Sequence, residues 1–410
     1  MTDSSKAAAD QRTPLIHVRN LYKVFGPKSE QALELLQTGM SKEEILAQTG
    51  HTVGLNNINL SVYPGEIFVV MGLSGSGKST LIRHFNRLIE PSAGQVEIDG
   101  VNVTALNPSV LQAFRRKRLA MVFQRFALLP HRTVLQNIGY GLQIQGLPAR
   151  EWQDKAQYWL ETVGLDGYGG HYPASLSGGQ QQRVGLARAL CMDADILLMD
   201  EAFSALDPLI RSEMQAQLMA LQAKLGKTII FITHDLDEAL RLGDRIAILR
   251  DGQLIQQGKP VDILLRPADD YIEAFVRDVN RSKALSVEAV MTTPAPCIEP
   301  GTVAEALQSL RECQMNFAYV WDDTQGCLGV ITRDALENIA LERPDSSLEP
   351  SMLIALPSIH CAQPLEAVLP LTLENELPLP VLDSLGNLRG SLSRATLAKV
   401  FSEHMTAESG

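Results

Sequence analysis

The sequence predicts an α/β fold with a largely parallel sheet, followed by a smaller α+β tail, and three observations carry that expectation. Short β-rich runs alternate with helical stretches over the first 270 residues. A glycine-rich loop of phosphate-binding type stands between one such strand and one such helix. The tail matches itself at an offset of 61 residues without a gap. In chain order the expected strands are Leu15–Val18, Ile67–Met71, Leu119–Phe123, Ile196–Met199, Thr228–Ile232 and Ile246–Leu249. The expected helices are Lys78–Leu88, Thr133–Ile144, Glu151–Val163, Gly178–Met192, Pro208–Lys224 and Asp235–Leu242. One segment, Pro27 to Val53, interrupts the pattern. It reads as two short helices, the second opened by a capping box, Ser41-Lys-Glu-Glu44, ahead of Ile45-Leu46.

In the tail the offset places Pro296 on Pro357, Ile298 on Ile359, Val320 on Val381, Asp322 on Asp383, Gly329 on Gly390 and Leu336 on Leu397. Each copy reads as a strand, a helix, two strands around a turn (Asp322–Gly326 and Asp383–Gly386) and a closing helix. So many matches in one register argue against coincidence between two leucine-rich stretches.

Composition sets the remaining bounds. A length of 410 residues suggests two to four folded units. No apolar run approaches the roughly 18 residues that would cross a bilayer. Met1–Asp10 carries acids and no apolar core, so a secretory signal is not expected; the chain reads as cytosolic with a frayed start over 1–13. Cys191, Cys297, Cys313, Cys327 and Cys361 form no C-x-x-C pair and are expected to be buried free thiols. A net charge of −11 argues against nonspecific nucleic-acid binding. Its location is uneven, since residues 283–410 hold 7 Lys/Arg against 17 Asp/Glu.

Gly72-Leu-Ser-Gly-Ser-Gly-Lys-Ser79 fits G-x4-G-K-[ST] in the strand-to-helix context the motif requires. Its backbone N–H groups can curl around phosphate oxygens, Lys78 can reach the β/γ-phosphates and Ser79 can offer a hydroxyl to Mg²⁺. Ile196-Leu-Leu-Met-Asp200-Glu201 is an apolar strand ending in two acids. Asp200 suits Mg²⁺, through water, and Glu201 suits orienting or deprotonating an attacking water. A strand ending in two acids is common, and this one takes its weight from the phosphate loop upstream.

Leu176-Ser-Gly-Gly-Gln180, followed by Gln-Gln-Arg183, resembles the signature of the ATP-binding cassette (ABC) ATPases. Physically it is a second anion cradle, a helix N-terminus capped by Ser177. The resemblance covers about residues 14–265 and implies further roles. Gln124 stands as in the family's Q-loop, Ser204-Ala-Leu-Asp207 as in its D-loop, His234 at the switch position and Phe25 where an aromatic stacks on adenine. It implies ATP contacts at Phe25, Gly72, Ser74, Gly75, Ser76, Gly77, Lys78, Ser79, Thr80 and Gln124, and Mg²⁺ contacts at Ser79, Gln124 and Asp200. Glu201 and His234 are the implied catalytic pair. Ser177, Gly178, Gly179 and Gln180 would act in trans, with Asp207 beside them. One motif set per chain then implies a homodimer, because each ATP lies between the phosphate loop of one cassette and the signature of the other.

The Pro27–Val53 insertion, the run Asp200–Arg211 and the tandem repeat together resemble the ATPase subunit of bacterial glycine betaine/proline betaine importers. Each repeat is similar to a cystathionine-β-synthase (CBS) domain. The expected layout is a cassette over 14–270, with a helical subdomain at about 130–190, then CBS repeats over 283–341 and 346–402 and a tail over 403–410. In the first repeat Gly329-Val-Ile-Thr332-Arg-Asp334 fits the family's nucleotide-contacting pattern, with Thr332 and Asp334 serving phosphate and ribose. In the second, Gly390-Ser-Leu-Ser393-Arg-Ala395 lacks the acid. A nucleotide sensor and a ligand-free dimerising or autoinhibitory module both remain open for the pair.

The function implied is ATP-driven import of a quaternary-ammonium osmolyte through a separate integral membrane permease, engaged near Gln124–Leu129 and supplied by an extracytoplasmic binding protein. The chain would then sit peripherally on the cytoplasmic face of the inner membrane, with no nucleic-acid partner. Import of choline, carnitine, proline or another amino acid, or a soluble nucleotide-sensing ATPase, are the alternatives.

Overall fold

The computed structural model describes residues 13–402 except 124–126, 205, 278, 280, 294–295 and 323–325. Gln124, the first residues of the expected permease contact, Ala205 of the D-loop and the expected turn residues 323–325 therefore lie outside the described residues, as do residues 1–12 and 403–410 of the expected tails. The chain divides into two compact units between Val276 and Arg277. The helix Asp270–Val276 falls in the first.

The first unit runs β1 (Ile16–Phe25), α1 (Glu30–Gln37), α2 (Lys42–Thr49), β2 (Thr52–Val62), β3 (Ile67–Met71), α3 (Lys78–Phe85), β4 (Ala93–Ile98), β5 (Val101–Asn102), α4 (Pro108–Arg118) and β6 (Leu119–Val122). It continues α5 (Val134–Ile138), α6 (Tyr140–Ile144), α7 (Ala149–Thr162), α8 (Gly178–Cys191), β7 (Ile196–Asp200), α9 (Pro208–Leu225), β8 (Thr228–Thr233), α10 (Leu236–Leu242), β9 (Arg245–Arg250), β10 (Gln253–Gly258), α11 (Pro260–Leu265) and α12 (Asp270–Val276). The parallel sheet is present, ordered β10-β9-β3-β8-β7-β6, with β10 antiparallel at its edge. Strands β3, β7 and β8 are buried at every residue, as a sheet covered on both faces requires.

A second, antiparallel sheet, β2-β1-β4-β5, is present as well, and of it only Leu15–Val18, most of which falls in β1, is among the expected strands. Its alternation is hidden by two asparagines in left-handed conformation, Asn20 (φ 45°) and Asn57 (φ 52°), at which the pairing shifts register. In β2 the buried set therefore runs Val53, Leu55, then Ile58, Leu60, Val62, breaking the period of two. One apolar core joins the two sheets, with Leu21, Leu55 and Val96 on one side, Phe68, Leu198 and Ile230 on the other, and Leu81 and Phe85 of α3 in the same cluster.

Helix ends also differ from expectation. Helix α3 stops at Phe85, because Arg87 adopts φ 50° and the Asn86 side chain accepts from the Leu88 amide. The expected Thr133–Ile144 helix is two, α5 and α6, separated at Gly139. The insertion folds as expected: Ser41 Oγ accepts from Glu44 N while Glu44 Oε2 accepts from Ser41 N, and Gly50 caps the other end in the left-handed region. Ala32, Leu36 and Ile45 of the insertion bury against Val24 and Val53.

Helices α5, α7 and α8 have a core of their own, including Val134, Ile138, Leu160, Val184 and Ala187. Within it Asn137 is fully buried and pins the preceding loop. Its Nδ2 donates to the carbonyls of Leu129, Arg132 and Thr133, and its Oδ1 accepts from Leu129 N. Asn137→Ala leaves those groups without their partner and is expected to cost about 2–3 kcal/mol, seen as a lowered thermal unfolding midpoint.

The second unit contains α13 (Arg281–Ala284), α14 (Val287–Val290), β11 (Cys297–Ile298), α15 (Val303–Glu312), β12 (Phe317–Asp322), β13 (Gly326–Thr332) and α16 (Arg333–Glu342). Then come β14 (Ile359–His360), α17 (Leu365–Glu374), β15 (Leu379–Leu382), β16 (Leu388–Leu392) and α18 (Arg394–Ser402). Its two three-stranded sheets, β11-β12-β13 and β14-β15-β16, share one topology: the first strand parallel and the third antiparallel to the second. The repeats also exchange segments. Thr292 pairs with Ser391 of β16, and Ile354 pairs with Val330 of β13. Gly329 lies under that crossing at φ 152°, where a Cβ would stand 2.8 Å from Leu353 Cβ. Buried Tyr319 donates to Pro378 O, tying the first copy to the second, and buried Arg281, just ahead of the first copy, donates to Val400 O of the second.

None of the five cysteines is in a disulfide, but the expectation of burial holds for Cys191 alone. Cys297 and Cys313 are exposed, while Cys327 and Cys361 are partly covered. Cys297 and Cys327 lie on strands of the first repeat and Cys313 at the C-terminal end of α15, whereas Cys191 ends a helix packed in the α5–α8 core, and burial there pushes its thiol up to about 12.

Candidate functional site

The phosphate loop leaves the C-terminal end of β3 and enters α3 with Gly77 as its cap, the arrangement that aims helix N–H groups at an anion. Gly72 has φ 145°, and a Cβ there would fall 2.1 Å from the Leu249 carbonyl oxygen, so only glycine fits between β3 and β9. Gly252 N, in the turn between β9 and β10, donates to Ser76 O at 3.0 Å and braces the loop.

Phe25, Ser74, Gly75, Gly77, Lys78, Ser79 and Thr80 line one cavity of about 430 Å³, and Glu201 closes it. Gly72 and Ser76 stand beside it rather than in its wall: Gly72 O accepts from Lys78 Nζ, and Ser76 is buried within the loop. Phe25, at the end of β1, is 38% exposed, and the Lys23 ammonium lies 5.1 Å from its ring centre. The ring thus has an open face to offer a base.

Lys78 Nζ donates to Gly72 O at 2.7 Å and Leu73 O at 3.0 Å and lies 4.0 Å from Glu201 Oε1. Burial pulls its pKa below the ordinary lysine value, and the charges of Glu201 and Asp200 oppose that shift. Asp200, at the tip of β7, accepts from Ser79 Oγ at 2.8 Å and from Arg83 at 3.2 Å. Two hard oxygen donors side by side fit Mg²⁺. Among the described residues no group of three or more His, Cys, Asp and Glu gathers that could hold a metal.

Glu201 follows at φ 48°, a left-handed conformation uncommon for a residue of its kind. Its N–H donates to Ile232 O, and Ser204 donates back to its carbonyl through both N and Oγ. This tight turn points the carboxylate at the cavity. His234 Nδ1 stands 3.8 Å from Glu201 Oε1, brought there because β7 and β8 are parallel neighbours with Asp200 opposite Ile232.

The second anion cradle is also built. Ser177 caps α8 in a full capping box with Gln180, and the side chain of Asp207 caps α9. Ser177, Gly178, Gly179, Gln180 and Asp207 share a cavity of about 580 Å³. It shares no lining residue with the phosphate-loop cavity.

Sequence reasoning missed Lys42, Thr52, Val53 and Gly54, which line the phosphate-loop cavity beside Phe25. Their only signal is position, since the insertion returns to β2 next to the end of β1. In the second unit, Thr332 accepts from Ala335 N as the cap of α16, and Asp334 lies in its first turn. A cavity of about 590 Å³ in that unit is lined by Cys297, Glu299, Glu305, Cys313 and neighbours, and neither Thr332 nor Asp334 faces it. No helix among the described residues is long and apolar enough to cross a membrane.

Residues 55–204 match the model of the ABC transporter family. The chain is 45% identical over 390 residues to a glycine betaine transport ATP-binding protein of Bacillus subtilis, covering 95% of this chain and 93% of that one. It is 44% identical over 388 residues to a glycine betaine/proline betaine transport system ATP-binding protein of Escherichia coli, covering 94% and 96%. A solved ATP-binding cassette, dimeric and bound to ADP and Pi in a post-hydrolysis state, is 32% identical and covers 60% of this chain and 98% of its own, with a TM-score of 0.52.

Proposed function

The chain belongs to the ATP-binding subunits of ABC transporters, in the glycine betaine/proline betaine branch, and on that premise we propose that it powers import of a quaternary-ammonium osmolyte through a membrane permease. The observation that carries this reading is that similarity runs through both compact units and the insertion, not the cassette alone.

The residues divide the work as follows. The N–H groups of Gly75 to Ser79 and the Lys78 ammonium hold the phosphates of ATP, and the Phe25 ring stacks on adenine. Ser79 and Asp200 would hold Mg²⁺, which would supply positive charge against the phosphates. Glu201 accepts a proton from the water that attacks the γ-phosphorus, and His234 orients that carboxylate and the phosphate. The bond to ADP breaks in line with attack. The signature helix, presented in its separate cavity, completes the site of a second copy. Two copies dock on a permease at the cytoplasmic face of the membrane, with the loop pinned by Asn137 near the contact, and a binding protein delivers solute from the other side.

The second unit follows a complete catalytic set and serves regulation as a pair of CBS-type repeats. A nucleotide near Thr332 and Asp334 is one route; a salt-sensitive contact made by its acidic surface is the other. Truncation after Val276 is expected to keep at least about half of permease-coupled ATPase activity while changing its response to salt or adenine nucleotide, since no acid–base element is lost. Loss of all turnover in a folded truncation would make the unit structural.

The reading is tested by affinity-purifying the chain from membranes and identifying what accompanies it. A polytopic permease that raises its ATPase activity supports the proposal. Recovery of an active ATPase from the soluble fraction, with no membrane partner, contradicts it.

A further inference from the structure

The inserted helix pair reaches the nucleotide cavity. Lys42 is the first residue of α2, fixed in place by the Ser41–Glu44 capping box, and its side chain lines the cavity with Phe25 and the phosphate loop. Its ammonium lies 3.4 Å from Asp251 Oδ1, at the turn whose neighbour Gly252 braces Ser76 of that loop. Among the described residues of the cavity wall, the charged side chains are Lys42, Lys78 and Glu201, so Lys42 is the one cation among them besides the loop lysine. A polyphosphate bound in this wall is strongly anionic, and a compact ammonium with three donors suits such a ligand.

We propose that Lys42 is a nucleotide-binding residue, a second cation that the insertion delivers to the phosphate chain of ATP, its place set by the backbone of α2 rather than by its exposed pair with Asp251. The proposal rests on the nucleotide reading of this cavity and adds a function for the insertion. The Lys42 side chain is 30% exposed, so its contribution is smaller than that of a fully enclosed charge.

The test is calorimetric titration of the full chain with ATP, ADP and adenosine. Lys42→Ala is expected to weaken ATP and ADP binding about three- to tenfold and leave adenosine unchanged, while Lys42→Arg retains most of the affinity. Asp251→Asn breaks the same ion pair but keeps the ammonium, and Asn tolerates the positive φ of that turn (51°), so it is expected to bind ATP within about twofold of the native chain. Equal ATP affinity for Lys42→Ala and the native chain, with Lys78→Ala weakened, overturns the role of Lys42 alone. An Asp251→Asn protein as weak as Lys42→Ala also overturns it, because the pair rather than the cation would then matter. Normal ATP binding by Lys78→Ala would instead bring down the nucleotide reading of the cavity.

Discussion

Glu201→Gln is expected to lower ATP turnover by about 10²–10⁴-fold while ATP still binds. The amide keeps the shape of the side chain and its place at the cavity, but it cannot accept the proton of the attacking water. Because Lys78 lies 4.0 Å from the Glu201 carboxylate, the substitution also removes a negative charge from the phosphate site. Nucleotide affinity should therefore hold or rise. The variant should accumulate as an ATP-stabilised dimer, measurable by size-exclusion chromatography with and without ATP. Turnover near the native rate would remove Glu201 from the chemistry.

Lys78→Ala is expected to weaken ATP binding about 10- to 100-fold, since a buried charge-assisted contact to phosphate is lost. The same change removes the donor to Gly72 O and Leu73 O, so some loosening of the loop accompanies it. The two variants should differ in kind: Glu201→Gln loses turnover and keeps nucleotide, whereas Lys78→Ala loses nucleotide. Equilibrium titration with a fluorescent ATP analogue separates them.

Features written in contiguous residues were legible before any coordinates. Gly72–Ser79 declares a phosphate loop because strand, glycines, lysine and helix follow one another without a gap. The continuous apolar runs of β3, β7 and β8 announce a sheet covered on both faces. What stayed hidden depends on tertiary placement or on backbone irregularity. Asn20 and Asn57 shift the alternation of β1 and β2, and most of the antiparallel sheet goes unseen with it. Glu201 and His234 were paired through the family resemblance and not through any local pattern, since they meet only because β7 and β8 are neighbours. Lys42 reaches the cavity because α2 packs through Ile45 onto the strand ends at Val24 and Val53, a contact that no local pattern in the insertion discloses.

The most direct measurement of the central claim is uptake of radiolabelled glycine betaine into vesicles that contain the native chain with its co-purified permease and enclose ATP, the binding protein being added outside. The account predicts ATP-dependent accumulation that competing proline betaine suppresses and that Glu201→Gln abolishes. Accumulation that proceeds equally with Glu201→Gln, or an assembly that hydrolyses ATP while moving no quaternary-ammonium solute, would contradict it.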